Sequence, residues 1–130
     1  MNRVARFLLA GVLTAWGNIS VARDALPGGY RVWVMNSQEV YLADRNDALM
    51  LGPALEQLGV TGGFIVARCG KAAPGVHTTV RTEGYVLLDV SSGGIVAGLT
   101  REQAESRLRE LGAALPELEP YRNYPLESTH

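Results

Sequence analysis

The first twenty-two residues determine how much of this chain is available to fold. Met1 to Arg6 carries two arginines and no acid, and Phe7 to Trp16 (FLLAGVLTAW) is ten residues without a charge. Ser20-Val21-Ala22 then sets small residues at the first and third positions before a cut. A basic stretch, a short apolar stretch and a small-x-small site form the pattern of a secretory leader. The competing reading is a retained membrane anchor. A helix rises about 1.5 Å per residue, so crossing the hydrocarbon takes about 20 apolar residues. Residues 7–21 already contain Thr14, Asn18 and Ser20, which makes the stretch too short and too polar. No cysteine follows it near the cut to accept a lipid. The expectation is a periplasmic or secreted protein, with no stable membrane insertion once residues 1–22 are removed.

Cleavage leaves 108 of the 130 residues, enough for one domain with one core. Losing Arg3 and Arg6 reduces the 12 basic residues to 10 against 13 acidic ones, a net charge near −3. That balance lacks the basic excess that phosphate neutralisation demands, so nucleic acid is not an expected partner. Cys69 stands alone, so no internal disulfide can form and an ordinary hydrophobic core must hold the domain.

Period-two alternation marks Tyr30 to Met35 (YRVWVM) as a strand, with Tyr30, Val32 and Val34 on one side and Arg31, Trp33 and Met35 on the other. After the polar break at residues 36–39, Val40 to Ala43 returns as its hairpin partner. Asp44-Arg45-Asn46-Asp47 is a turn of residues that hydrogen-bond their own backbone. Leu49 to Leu51 is a short strand closed by Gly52-Pro53. Residues 53–59 (PALEQLG) read as one or two helical turns, with proline at the start and Gly59 as a stop. The run Phe64-Ile65-Val66-Ala67 predicts a strand covered on both faces, and residues 70–78 an exposed loop. Gly84 to Val90 and Ile95 to Leu99 flank a Ser-Ser-Gly-Gly turn as a second hairpin.

Thr100 followed by Gln103 is a capping box, and Glu102 in the first turn suits the helix dipole. Ala104, Leu108 and Leu111 recur at helical spacing, so residues 101–111 form an amphipathic helix ended by Gly112. Pro116, Pro120 and Pro125 are expected to exclude regular structure from the tail, 113–130, although Tyr121 and Tyr124 argue that part of it lies on the domain. The fold class is α+β: an antiparallel sheet of about five or six short strands with the helix packed on one face, over residues 23–112. Val40 to Asp44, Gly52-Pro53, Gly59-Val60 and the Gly84 to Asp89 strand leading to Gly94 and a helix together resemble the layout of small bacterial exported proteins. The resemblance spans residues 30–112 and implies no activity.

Cys69 and His77 are the one nucleophile-and-base pair available, and Arg68 and Lys71 flank the thiol. The alternative for Cys69 is a buried apolar side chain at a strand end. Asp44, Asn46 and Asp47 resemble a fragment of a calcium loop, but its required glycine and glutamate fall on Leu49 and Leu55. Gly62-Gly63 and Gly93-Gly94 lack the lysine and hydroxyl residue of a phosphate-binding loop. Nothing brings Glu83 to Asp89, and His130 has only one other histidine to join at a metal. No cofactor is expected. Trp33, Tyr30, Tyr41 and Tyr85 read as core. If Arg31 and Trp33 instead face solvent, they form an aromatic-and-arginine pair of the kind that anchors protein interfaces. The leading expectation is a non-enzymatic protein-binding module, immunity- or inhibitor-like, with Arg31, Trp33, Cys69, Lys71 and His77 as binding residues. The alternatives are a thiol-dependent enzyme or redox partner using Cys69 with His77, and a membrane-tethered accessory subunit.

The leader makes a direct prediction. Protein recovered outside the cytoplasm should begin at Arg23, read by N-terminal sequencing or intact mass. A mass that retains Met1 or Asn2 contradicts it.

Overall fold

A computed structural model describes residues 25–128, so the leader expected at residues 1–22 lies outside the described residues. The strands are β1 (Arg31–Asn36), β2 (Glu39–Ala43), β3 (Leu49–Leu51), β4 (Leu55–Thr61), β5 (Phe64–Cys69), β6 (Gly84–Asp89), β7 (Ile95–Leu99), β8 (Glu119–Pro120) and β9 (Leu126–Ser128), with one α-helix, α1 (Arg101–Glu110). The α+β class holds, but the strands form two sheets rather than one. Sheet A has the order β3-β2-β1-β9 and sheet B the order β7-β6-β5-β4-β8. Their inner faces pack together, and α1 covers the other face of sheet B, giving three layers with sheet B in the middle.

Side-chain alternation explains this arrangement. Ile65, Ala67, Val86 and Leu88 point toward sheet A, where they meet Val32, Val40, Leu42 and Leu51. Val66 and Leu87 point the other way, onto Ala104 and Leu108 of α1. The apolar run at residues 64–67 is therefore covered twice, as its composition requires. The capping box forms with both bonds: Gln103 N–H donates to Thr100 Oγ1 at 3.1 Å, and Thr100 N–H to Gln103 Oε1 at 2.9 Å. Leu111 departs from the expected buried stripe, since it follows the last helical residue and is 60 % exposed.

Residues 53–59 are not helical. They supply most of β4, which pairs antiparallel with β5 from Leu55↔Cys69 to Thr61↔Phe64. Gly59 is no helix stop. A Cβ there would sit 2.9 Å from the carbonyl oxygen of Glu117, so glycine lets the tail cross close over β4. Nor do the prolines exclude regular structure from the tail. β8 adds to the edge of sheet B beside β4, and a 3-10 turn at Tyr121–Asn123 redirects the chain. β9 then runs parallel to β1 in sheet A. Pro120 sits in an edge strand, where a missing N–H is tolerated. Between the two strands Tyr124 is buried, and its hydroxyl donates to Leu58 O at 3.1 Å. The tail thus closes one side of the sandwich.

Tyr124 carries a prediction. Tyr124→Ala should lower the unfolding free energy by about 3 kcal/mol, the cost of emptying a large aromatic site. Denaturant unfolding measures it, and a loss of under about 1 kcal/mol, as for a surface site, contradicts the clasp.

Candidate interaction surface

Val32 is fully buried between the sheets, so the pleat turns Arg31, Trp33 and Met35 to the outer face of sheet A. No second sheet or helix covers that face among the described residues. It is shielded in part by the chain between β5 and β6. Residues 70–83 leave sheet B and cross to the end of β3, where Thr82 pairs with Gly52 through Gly52 N–H to Thr82 Oγ1 (3.0 Å) and Thr82 N–H to Gly52 O (2.8 Å). Under this loop Tyr41 is 1 % exposed. Its hydroxyl donates to Glu39 Oε1 at 2.8 Å and is hydrogen-bonded to Thr78. Burial, together with the Glu39 carboxylate, pushes the Tyr41 phenol above its ordinary range. Glu39 moves the opposite way, held below the usual range by Asn36 and by Tyr41. Gly52 lies in the positive-φ region against the Tyr41 ring, 2.6 Å from where its own Cβ would be, so only glycine lets the loop and ring close together.

On the uncovered part of the face, Arg31 forms ion pairs with Asp47 and with Glu127 (3.9 Å), joining the β2–β3 turn and β9 to the centre of the sheet. These partly exposed pairs contribute little stability, about 0–1 kcal/mol each, but they hold the guanidinium in place. Trp33, opposite Tyr41 in the β1–β2 ladder, is half-buried. Its indole Nε1 is shielded from solvent yet has no hydrogen-bond partner. A shielded N–H left unpaired costs about 1–3 kcal/mol, so this spot is one where the isolated domain is not at its most favourable.

The other candidate residues are not gathered at one point. Cys69 belongs to the inner sandwich core, against Leu55, and its thiol accepts from Thr82 Oγ1 at 3.5 Å rather than from His77. Burial raises the Cys69 pKa, which disfavours the thiolate that a nucleophile needs. His77 is exposed in the loop. Lys71 lines a hollow with Gln38, Pro53 and Tyr121 at the β1–β2 turn. The supposed calcium fragment is a self-satisfied turn: Asp44 Oδ1 accepts from the Asn46 and Ala48 N–H groups at 2.8 and 2.9 Å. Asp89 is likewise occupied by Ser91 and Ser92, which lower its pKa, and makes no pair with Glu83. Among the described residues no cluster of three metal-ligating side chains occurs, and no helix is long and apolar enough to cross a membrane. His130 lies outside them.

Two features of the molecule's surface escape the sequence. The cover that residues 70–83 place over Tyr41 depends on Thr82 meeting Gly52 across thirty residues. An apolar groove of about 410 Å³ between β7 and α1, with Phe64, Leu87, Val96 and Leu111 in its lining, depends on which strand ends the sheet. Comparison with known protein families, with curated proteins and with solved structures gave no match.

Cys69 makes the test here. In the folded protein it should resist alkylation at pH 8, with denaturant restoring the reaction rate of a free thiol by several orders of magnitude. Labelling of native protein at the denatured rate contradicts a core position.

Proposed function

We propose that this chain is an exported, non-enzymatic protein-binding module, periplasmic or secreted, that engages a partner protein in the manner of an immunity protein or inhibitor. The observation that carries the reading is the burial of Val32, which turns Arg31 and Trp33 to the outer face of sheet A, a face that among the described residues no second sheet or helix covers. Arginine, tryptophan and methionine are enriched at interface centres, because each couples a large apolar contact with adaptable polarity. Here Met35 extends the same row, and the Arg31 guanidinium is already oriented by Asp47 and Glu127, which lowers the ordering cost of binding. The leader pattern at residues 1–22 supports export.

The thiol-dependent alternative finds less support. A cysteine packed against Leu55 and bonded to Thr82 has neither an imidazole beside it nor the stabilised thiolate that chemistry would require. The membrane-tethered alternative rests on residues outside the described part of the chain.

Capture with the wild-type domain from extracytoplasmic extract should return a stoichiometric protein. Trp33→Ala should weaken that complex by about 2 kcal/mol, a hot-spot loss of roughly thirtyfold, while Cys69→Ala leaves affinity unchanged. The measurement is titration calorimetry, with thermal melts to confirm folding. A complex indifferent to Trp33→Ala and Arg31→Ala, or activity lost on Cys69→Ala without loss of stability, overturns the proposal.

A further inference from the structure

Among the described residues the two sheets end in four edge strands, and three of these are guarded. β3 is three residues long and runs into Gly52-Pro53. β8 contains Glu119 and Pro120, and β9, which follows directly on Pro125, contains Glu127. Short length, charge and proline are the devices that stop a sheet edge from pairing with another chain. β7 has neither charge nor proline over Ile95–Leu99, and its first four residues are exposed. Its single irregularity is the bulge between Val96 and Leu99. Beside it lies the largest group of exposed apolar side chains on the molecule's described surface: Ile95 at 36 %, Val96 at 37 % and Leu111 at 60 %.

We propose that β7 is the edge through which two copies of this chain associate, strand against antiparallel strand, about a two-fold axis beside Ile95. The hairpin sets the register. Asp89 N–H donates to Gly94 O at 2.9 Å, and Leu88 lies opposite Ile95. By the alternation of an antiparallel ladder, the Ile95 amide and carbonyl therefore point away from β6 toward the open edge. Two such residues facing across a two-fold axis exchange both hydrogen bonds. The bulge, with Gly98 in the left-handed region, keeps the shared ladder short, so side chains must supply the remaining affinity.

Those side chains are self-complementary. Val96 projects to the helix side of sheet B, opposite Leu87, and with Leu111 it forms the apolar wall of the groove. Arg107 and Glu110 line the same groove one helical turn apart. A two-fold axis beside Ile95 runs the two helices antiparallel on one face of the joined sheet. Arg107 of each copy then faces Glu110 of the other, and an isologous interface must be complementary to itself in this way. The uncharged strand sets no like charges against each other at the centre. Joining the two copies produces one ten-stranded sheet and leaves the Arg31–Trp33 face of each free, so this association is independent of the partner-binding proposal.

Sedimentation equilibrium of the full chain over a concentration series tests it. The wild type should give the dimer mass, and Val96→Lys, which sets a charge in the groove, should give a folded monomer whose cooperative melt no longer depends on protein concentration. Arg107→Glu should raise the dissociation constant about tenfold through like-charge opposition. The double change Arg107→Glu with Glu110→Arg should restore it, an outcome that mere damage to the helix cannot produce. A wild-type monomer at every concentration overturns the proposal. So does a dimer indifferent to Val96→Lys, or cross-linking from position 96 only to a different protein.

Discussion

Sheet B is apolar on both faces, and that constraint organises everything around it. Val66 and Leu87 point to one side while Ile65, Ala67, Val86 and Leu88 point to the other, and none of them is more than 4 % exposed. Burying each of the larger side chains contributes about 1.5–3 kcal/mol, so neither face can be left open in a domain of this size. Sheet A supplies one cover, and α1 with the chain that follows it supplies the other. With a single cysteine there is no disulfide to share the task. The thiol itself is part of the inner layer.

The positioning of the outer face follows from the same constraint. Once Val32, Val40 and Leu42 are committed to sheet B, the pleat leaves Arg31, Trp33 and Tyr41 on the far side. The loop of residues 70–83 then divides that side into a covered part over Tyr41 and an uncovered part around Arg31 and Trp33. The tail completes the frame, since β8 and β9 join the edges of both sheets through Tyr124. That face is backed by two packed layers, sheet B and α1.

How much of this is legible in the sequence depends on how local each signal is. Both hairpins, the doubly covered β5 and the capped helix are written in alternation, apolar runs and a four-residue box, all read within a few neighbours. β4 is misread because Pro53 and Gly59 carry ordinary helix punctuation, while the true reason for Gly59 is the Glu117 carbonyl nearly sixty residues away. The tail is misread because proline excludes a central strand but not an edge. The division into two sheets is just as invisible, since it rests on β9 returning to β1 and on β4 pairing with β5 and β8 rather than with β3. At the surface, the Arg31–Trp33 row is legible as an alternation whose inner side is decided only by Val32. The β7 edge is not, because no local pattern tells which strand ends a sheet.

The most direct test of the central layer is native-state hydrogen exchange. The amides of Ile65, Val66, Ala67, Val86, Leu87 and Leu88 should exchange only through global unfolding, with free energies equal to that from denaturant melts. Protection in β3 and β9 should be clearly lower. Rapid local exchange in β5 and β6, at the level of those edge strands, would contradict a structure built around a sheet covered on both faces.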